Sequence, residues 1–578
     1  MSNFLHPLKD PAMELERPKS TDQENSAAFS RRDLLRGGVA AGVVGGIGLG
    51  SVYFGYGSSV RDPVRVGVIG TGDEGGVLMG AINPDYVQVV AIADIRPYNI
   101  YRAFHGDATS ASALAARPGL INKYGYADEA AARREIQVYD DRYEELLTDP
   151  NVEGVIIALP LHLHASASIK ALRQGKHVLC EKLMAHSVHE CKEMARAAED
   201  TNRLLAVGHQ RHYSILYDNA REMIRRGTIG DIHHIRAQWH RGNLPGRDSW
   251  QQRLPDDSLR AEMDRYATES QEFLEQLTDA DKPAGWNSSL AARRVAAETK
   301  RKLAQLRLLD ERVDAEKYGY QAPQLQLPGG NVKTFSPQEE LIRWRLWNRT
   351  GGGLMAELGS HQLDAASIFI SALREDGEKV QPLTVTGNGG RHIFPADRDA
   401  HDHVYCNFEF PAPEYDRDPN KKIVVSYSSI NGNGLGGYGE IVMGTEGTIV
   451  IEREKDIELY QKDRPTTIQA DKTAGPALDT TESGAYAAAE TKAPSGPVSR
   501  GYTEEIEHWA WCIRNRDPAN VPRCGPKVAL ADAVIALVAN QAIDTQRRVE
   551  FDPAWFDFHS DATPEGVAPK LQRAEYSS

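Results

Sequence analysis

Residues 64–75 have the sequence V-R-V-G-V-I-G-T-G-D-E-G, and this stretch decides the fold of the N-terminal half of the chain. Its first six residues are an apolar run typical of a short buried strand. Three glycines follow at once, and residues 77–82 can open a helix. A second apolar run, 87–93, ends at Asp94. Strand, glycine turn, helix and acidic strand end together predict an α/β, doubly wound parallel sheet of the Rossmann dinucleotide-binding type.

The glycine turn and the acidic strand end have separate expected roles. Gly70 makes the tight turn and Gly72 lets the backbone approach a pyrophosphate, which the free N–H groups of the following helix can bind. Asp94 can accept hydrogen bonds from the adenosine ribose, and its carboxylate repels a 2′-phosphate, so NAD is favoured over NADP. The expected cofactor-binding residues of this region are Gly70, Thr71, Gly72, Gly75 and Asp94.

Two acidic residues inside the turn leave an alternative open. Asp73 and Glu74 stand where the phosphates would bind. They favour the positive end of the helix dipole, but they can compete with a pyrophosphate for the same N–H groups. The alternative is a doubly wound domain that holds no nucleotide.

Further polar side chains follow two other strands of the domain, which we expect to span residues 62–212. Ligands bind at the carboxyl ends of strands in open α/β sheets. Apolar runs at 155–159 and 177–180 lead directly into such residues, namely Pro160, His164, Glu181 and Lys182. We therefore expect these four residues at the edge of the same cleft.

The composition is that of a large globular protein. The chain has 578 residues, of which 41% are apolar and 26% are charged, so its length suggests about two to four domains. The formal net charge of −14 argues against a broad nucleic-acid-binding surface. The five cysteines form no C-x-x-C pair, so neither a disulfide framework nor a thiolate zinc site is indicated.

Residues 1–61 are expected to precede the fold as an export signal and linker. Arg31 and Arg32 are paired, and a leucine pair and a weakly hydrophobic, glycine-rich run at 37–57 follow them. This pattern is typical of a twin-arginine signal, and it predicts the translocase as a partner and a location in the periplasm or cell envelope. A membrane-spanning helix is the alternative, although so many glycines make a poor helix. No clean cleavage site is visible, so an uncleaved anchor stays open.

The second half of the chain, residues 213–560, predicts an α+β domain with a large, open, mostly antiparallel sheet. Alternating apolar runs recur between 232 and 452, as in half-buried strands. Residues 243–340 interrupt this series with the spacing of a charged helical hairpin. The hairpin is a surface decoration or subunit contact, or else a substrate lid. Residues 561–578 are expected to be a tail.

The order of these motifs resembles the Gfo/Idh/MocA oxidoreductases, a family named for glucose–fructose oxidoreductase and inositol dehydrogenase. Residues 171–182 have the sequence A-L-R-Q-G-K-H-V-L-C-E-K, which matches the family's pattern after the glycine turn. Residues 351–364 resemble the glycine-rich family segment that ends D-x-G-x-H-x-x-D. The resemblance covers about 62–240 and 340–555. It implies NAD-linked redox chemistry and does not specify the substrate.

The resemblance also implies a role for each strand-end residue. Pro160 and His164 would lie near the nicotinamide, and Glu181 would hold a ribose. Lys182 would contact the cofactor and reach the reacting oxygen. The usual Glu-Lys-Pro is Glu181-Lys182-Leu183 here, so the proline that would rigidify this turn is missing.

On the substrate side, the resemblance implies that His361 is a general base with the Glu357 carboxylate beside it. Oxidation of a secondary alcohol needs such a base, and histidine has a suitable pKa. The Lys182 ammonium can stabilise the developing alkoxide. Glu357, where the family has aspartate, lies four residues before His361 on a predicted helix, and Asp364 lies on nearly the same face. We expect His361, Glu357 and Lys182 to be catalytic, and His361 and Asp364 to bind substrate.

Other interpretations of the same residues, as structural groups or metal ligands, stay open. A histidine on an apolar helix face can be a satisfied core group rather than a base. Glu357, His361 and Asp364 could also suggest a metal cluster. No further run of ligand residues supports a metal, so none is expected.

Three classes of function remain at this point. The first is an exported NAD(H)-dependent oxidoreductase acting on a secondary hydroxyl of a sugar or cyclitol. Because an exported enzyme is cut off from cytoplasmic NAD, it should hold its cofactor tightly and recycle it internally. The second is a redox-neutral glycosidase or lyase, and the third is a non-catalytic envelope binding protein. The expected partners are a small carbohydrate or polyol and further copies of the chain, with no nucleic acid.

Overall fold

The computed structural model describes residues 49–57, 60–278, 284–327, 329–461 and 500–566. The paired arginines and most of the predicted export signal lie outside these residues. The described part contains the two predicted sheets, and the candidate site lies at the carboxyl ends of the first sheet's strands.

The fold begins before the predicted boundary at residue 62. Helix α1 (Leu49–Phe54) and the residues after it pack on the body of the protein. The buried Tyr53 hydroxyl donates to Asp218 (3.0 Å), and the buried Tyr56 hydroxyl donates to Glu507 (2.7 Å). Removing these phenols would leave buried carboxylates with fewer donors, which is costly. Residues 49–57 are therefore part of the folded domain and not of a linker.

The N-terminal domain is built on the predicted parallel sheet. Its strands are β1 (Val64–Ile69), β2 (Val87–Ala93), β3 (Gln137–Tyr139), β4 (Gly154–Ile157), β5 (His177–Cys180) and β6 (Leu205–Val207). They lie in the order β3-β2-β1-β4-β5-β6, and every pair is parallel. The strand order reverses between β1 and β4, where ligands bind in doubly wound sheets.

Helices cover both faces of this sheet, and each face has its own apolar cluster. The helices are α2 (Asp73–Ala81), α3 (Pro97–His105), α4 (Ala111–Ala116), α5 (Leu120–Tyr124), α6 (Glu129–Glu135), α7 (Tyr143–Thr148), α8 (His164–Arg173) and α9 (Val188–Thr201). The predicted doubly wound architecture is confirmed.

The C-terminal domain contains an eight-stranded sheet of order β15-β14-β13-β7-β12-β11-β10-β16. The strands of this half are β7 (Ile232–His240), β8 (Gln324–Gln326), β9 (Val332–Thr334), β10 (Thr384–Gly390), β11 (His403–Pro411), β12 (Lys422–Ile430), β13 (Tyr438–Gly444), β14 (Gly447–Glu452), β15 (Asp456–Gln461) and β16 (Val549–Glu550). Only β7 and β12 pair in parallel within this sheet as described. The mostly antiparallel prediction is confirmed.

The helices of this half support the sheet and carry part of the site. They are α10 (Ile215–Arg225), α11 (Asp257–Thr278), α12 (Ala284–Leu308), α13 (Pro337–Ile342), α14 (Asn348–Gly351), α15 (Ser360–Ser371), α16 (Tyr502–Arg514) and α17 (Pro526–Thr545). Among the described residues, α17 alone is long and apolar enough to cross a membrane, and most of it is buried in the protein. It packs on β10 and α15 as a core helix.

The helical insertion and the predicted tail make contacts that the sequence does not indicate. Helices α11 and α12 pack along each other as the predicted hairpin, and α12 contacts α3 of the nucleotide domain. The described part of the predicted tail, 561–566, is also docked. The Glu565 side chain accepts from the Val188 N–H (2.7 Å), and the Lys192 ammonium donates to the Ala562 carbonyl (2.6 Å).

Candidate active site

A cavity of about 600 Å³ lies at the carboxyl ends of the parallel strands, a size typical of small-molecule sites. The turns after β1, β2, β4 and β5 form one wall. The C-terminal domain supplies the other wall, which includes Trp239 on β7 and His361 on α15. The sheets therefore bring together residues that are almost 300 positions apart in the chain.

The glycine turn has the geometry that a dinucleotide requires. Gly70 has φ +87°, and a Cβ there would lie 2.4 Å from the Ala158 carbonyl oxygen. A Cβ on Gly75 would lie 2.0 Å from the Gly70 carbonyl oxygen, so α2 can approach the turn only because both residues are glycine. At Gly72, which lines the cavity, the nearest atom to a Cβ is 3.7 Å away. The backbone is thus open to a ligand at Gly72, as predicted.

Asp94 lines the cavity and is held by the turn itself. Its Oδ2 accepts from the Thr71 N–H (2.8 Å) and the Asn99 amide (3.1 Å), and its Oδ1 accepts from the Arg96 N–H (2.8 Å). Thr71 is buried and positions Asp94 rather than lining the cavity. Its predicted direct contact with cofactor therefore becomes a positioning role.

The acidic pair in the turn is partly neutralised. The Arg102 guanidinium forms an ion pair with Asp73 and also bonds Asp107 (3.1 Å). Burial alone would raise the pKa of Asp73, but Arg102 and Arg117 outweigh it and hold that pKa below its usual range. The negative charge at Asp73 is therefore compensated, which removes much of the predicted competition with a pyrophosphate.

Glu181 presents an unsatisfied carboxyl oxygen to the cavity. The residue is 6% exposed, its Oε2 accepts from the Lys182 N–H (3.1 Å), and its Oε1 has no hydrogen-bond partner within the described ranges. Burial and the nearby Glu74 raise its pKa to about 8. A buried polar atom without a partner is unfavourable, so Glu181 fits the predicted role of bonding a ribose hydroxyl.

His164 lines the cavity, as predicted, and its ring is also engaged by the main chain. Both of its ring nitrogens lie 2.8 Å from backbone carbonyl oxygens, those of Leu183 and Leu159. Burial lowers its pKa. Because both nitrogens already face main-chain acceptors, the ring positions the turns that carry Pro160 and Lys182 instead of bonding a ligand. Pro160 itself forms part of the cavity wall, as predicted.

Lys182 bridges the two domains. Its ammonium donates to the Glu357 carbonyl oxygen (2.6 Å), and the Glu357 Oε2 accepts from Arg345 Nε (3.0 Å). Burial raises the pKa of Glu357, but Arg345 and Lys182 outweigh it and lower that pKa overall. The sequence pairs Glu357 with His361 as helical neighbours. The structure pairs it with Arg345 instead. Residues Met355–Gly359 form a π-helical turn, a feature frequent at functional sites.

His361 faces the cavity as a neutral base. Its ring packs beside Trp239 with centroids 5.5 Å apart, and its nitrogens form no hydrogen bond with the residues that the structure describes. Burial, followed by the Lys182 and Arg211 charges, lowers its pKa well below the usual histidine range. The ring is therefore deprotonated at neutral pH. A histidine with a structural role in the core would have hydrogen-bond partners for its ring nitrogens, so the structural interpretation does not fit His361.

Asp364 is not a cavity residue, and its predicted contact with substrate is a correction. It is buried and accepts from His212 Nε2 (2.9 Å) and from the Lys379 ammonium (3.0 Å), which also pairs with Asp532. His209, Asp364 and Asp532 lie close enough together to hold a metal ion. The Lys379 ammonium already supplies positive charge between the two carboxylates, so the cluster is explained without one.

Several cavity residues have no signal in the sequence. Arg345 and Arg500 line the cavity, where Arg345 pairs with Glu357 and Arg500 Nε donates to Glu454 (2.5 Å). Tyr502 and Gln210 also line the cavity. None of them belongs to a motif, because the fold brings them together from separate segments.

A parallel sheet with a glycine turn, beside an open sheet that closes its cleft, defines a two-domain dinucleotide-binding protein. Residues 64–209 match the family model GFO_IDH_MocA, described as "Oxidoreductase family, NAD-binding Rossmann fold". Residues 64–209 are therefore similar to the NAD-binding Rossmann domain of the Gfo/Idh/MocA oxidoreductases.

The chain is similar to curated proteins over limited lengths. It is 30% identical over 188 residues to an uncharacterised oxidoreductase of Schizosaccharomyces pombe, which covers 32% of this chain and 45% of that one. It is 28% identical over 216 residues to a glycosyl hydrolase family 109 protein of Solibacter usitatus (36% and 46%). It is 34% identical over 115 residues to levoglucosan dehydrogenase of Pseudarthrobacter phenanthrenivorans (20% and 29%). The matches span less than half the length of these relatives.

Two solved structures show the same fold. An inositol dehydrogenase homologue from Azotobacter vinelandii, complexed with NAD+, superposes with a TM-score of 0.52 at 14% identity, over 85% of this chain and 99% of that one. The aldose-aldose oxidoreductase from Caulobacter crescentus has a TM-score of 0.50 at 14% identity, over 85% and 100%.

Proposed function

We propose that the protein is an NAD(H)-dependent oxidoreductase that acts on a secondary hydroxyl of a sugar or cyclitol. One observation carries the proposal. The unbonded, neutral His361 ring faces the same cavity as the Lys182 ammonium and the Gly72 turn. The names of the levoglucosan dehydrogenase and inositol dehydrogenase relatives support the substrate class.

The residues divide the chemistry between them. A bound nicotinamide would exchange a hydride with the carbinol carbon. The His361 ring accepts the hydroxyl proton in oxidation and returns it in reduction. The Lys182 ammonium, fixed by the Glu357 carbonyl, stabilises the alkoxide, and Arg345 holds Glu357 in place.

A redox-neutral glycosidase is the second candidate, and the glycosyl hydrolase family 109 relative favours it. Transient oxidation of a ring hydroxyl, with the hydride held by the cofactor, would acidify the neighbouring C–H. Loss of that proton and of the aglycone would leave a double bond conjugated to the ketone. Water would add to this double bond before return of the hydride restores the alcohol. Lys182 and His361 would serve this chemistry equally.

One experiment separates the two candidates. The full-length protein is incubated with NAD+ and, in parallel, with aldoses, polyols and aryl glycosides. Reduced cofactor, bound or free, that forms when a polyol or an aldose is added alone identifies the oxidoreductase. A phenol released from an aryl glycoside without net NADH identifies the glycosidase. A folded protein that binds NADH and gives neither product would contradict both.

Asp94→Ser is expected to weaken NAD(H) binding by about tenfold and NADP(H) binding by less. The loss corresponds to one charge-assisted hydrogen bond to the ribose, while the repulsion of a 2′-phosphate disappears. Quenching of protein fluorescence by NADH and by NADPH measures the dissociation constant of each cofactor. Asp128→Ser is the matched control, because Asp128 caps α6 outside the cavity and serine caps equally well. An unchanged NAD/NADP preference would remove Asp94 from the ribose site.

We also propose export by the twin-arginine pathway, with the cofactor already bound and then recycled in place. The sequence pattern at 31–57 supports this. Because residues 49–57 pack on the body of the protein, a cleavage that preserves the fold would fall before Leu49. Assembly into a homo-oligomer stays a prediction.

Arg31→Lys together with Arg32→Lys should trap the precursor in the cytoplasm, because the paired guanidinium signal is lost. Cell fractionation and immunoblotting measure the distribution. Arg36→Lys is the control outside the pair. Unimpaired export of the double variant would mean another route.

A further inference from the structure

The helical insertion reaches the nucleotide side of the cavity through residues 310–320, which we call the wall segment. Asp310 follows α12 and is 1% exposed. Its Oδ2 accepts from Arg96 Nε (2.9 Å) and its Oδ1 accepts from the Tyr98 N–H (3.3 Å). Arg96 and Tyr98 come directly after Asp94 at the end of β2, so the wall segment binds the loop that carries the expected ribose ligand.

The same segment also binds the loop after β3. Lys317 and Tyr318 both bond to the Asp141 carboxylate. Lys317 and Tyr318 line the cavity, together with the buried Tyr320. The wall segment thus joins the loops after β2 and β3, which are neighbouring strands at the adenosine end of a doubly wound sheet.

Contacts from α12 hold the wall segment against the nucleotide domain. The Arg307 guanidinium donates to the Tyr98 hydroxyl (3.1 Å) and lies over its ring. The Lys302 ammonium lies 5.7 Å from the centre of the Tyr101 ring. Residues 310–320 are therefore anchored to the nucleotide domain, a placement that differs from a surface decoration and from a lid over the substrate end.

We propose that the wall segment is part of the dinucleotide site and encloses the adenosine half of the bound cofactor. Asp310 fixes Arg96 beside the ribose end, and Tyr318 and Tyr320 provide aromatic surface beside the adenine. Release of the cofactor then requires the wall segment to separate from the loops after β2 and β3, so exchange is slow. This inference rests on the proposed use of NAD(H).

The test uses two variants that attack different contacts. Asp310→Asn removes the charge at the buried contact with Arg96. Lys317→Ala with Tyr318→Phe removes the partly exposed contact with Asp141, so it reports even if the buried variant folds poorly. Arg265→Ala is the control, because it breaks an exposed ion pair with Glu269 on α11, within the same insertion.

Calorimetry measures the affinity of the full-length protein for ADP-ribose and for nicotinamide mononucleotide, and stopped-flow fluorescence measures NADH release. We expect both wall variants to bind ADP-ribose about tenfold more weakly, the equivalent of one charge-assisted hydrogen bond, and to release NADH about tenfold faster. Nicotinamide mononucleotide binding should stay unchanged, because that ligand lacks the adenosine half.

Two outcomes would count against the inference and are distinguishable. Wild-type ADP-ribose affinity and wild-type NADH release in both wall variants would overturn the role of the wall segment while leaving the proposed function intact. Failure of the wild-type protein to bind either NADH or ADP-ribose would overturn the proposed function itself.

Discussion

Turnover of the Lys182→Ala variant is expected to fall by about 10²–10³-fold, the usual effect of removing one group that stabilises a developing oxyanion. Burial and the Lys182 and Arg211 charges lower the pKa of His361, so formation of the alkoxide depends on the Lys182 ammonium as well as on the ring. Cofactor affinity should fall as well, because Lys182 directly follows Glu181 on the cofactor side. Steady-state kinetics and NADH titration measure the two effects.

Two companion variants make the Lys182 prediction specific. Lys182→Met keeps most of the side-chain volume, so it separates loss of charge from loss of packing. Lys421→Ala removes a lysine whose ammonium pairs with Glu414 on the surface, away from the cavity, and should behave as wild type. Near wild-type turnover in both Lys182 variants would exclude the ammonium from the reaction.

His361→Ala is expected to lower turnover by about 10²–10⁴-fold, the usual contribution of a general base, and to leave nucleotide binding nearly intact. The ring lies on α15 in the C-terminal domain, whereas the dinucleotide turn follows β1. Kinetics and NADH titration again separate the effects, with His233→Ala on exposed β7 surface as the matched control. Turnover equal to that of the control would remove His361 from catalysis.

The pH dependence of the rate further tests whether His361 is the base. Because burial and the Lys182 and Arg211 charges keep the His361 pKa well below 6.5, the ring is deprotonated and competent throughout the neutral range. The wild-type rate should stay level through neutrality and fall only in more acidic solution, as pH drops through the lowered pKa. That acidic fall should be absent in His361→Ala. An inflection near the ordinary histidine value, lost in the variant, would contradict the electrostatic account.

The fold could be predicted because its signals are local. Strands β1 and β2 begin and end where the apolar runs do, and φ +87° at Gly70 is a conformation that favours glycine. The placement of Lys182 at the cavity followed from its position at a strand end, since the carboxyl ends of parallel strands meet at one edge. The placement of His361 followed from the family resemblance.

The partners of the site residues could not be predicted in the same way. Contacts between distant segments determine these partners. Glu357 lies in a π-helical turn and pairs with Arg345, and Asp364 pairs with Lys379 and His212 instead of facing the cavity. Helical spacing gives the face of a residue but not what packs against it.

Composition alone also could not predict where the folded part of the chain begins. The glycine-rich run at 37–57 has the character of an export signal, yet Tyr53 and Tyr56 near its end hydrogen-bond to buried groups of the body. Likewise, the sequence of the charged hairpin does not indicate which part of the protein it contacts. Contacts such as those of Asp310 with Arg96 and of Arg307 with Tyr98 show in the structure that the insertion reaches the nucleotide domain.

The most direct test is mass spectrometry of the nucleotide released when natively purified, folded protein is denatured. The account predicts NAD+ or NADH in a ratio approaching one per chain, with NADP(H) absent or minor, because Asp94 disfavours a 2′-phosphate and the wall segment slows release. A folded protein that releases no nucleotide and does not take up added NADH would contradict it.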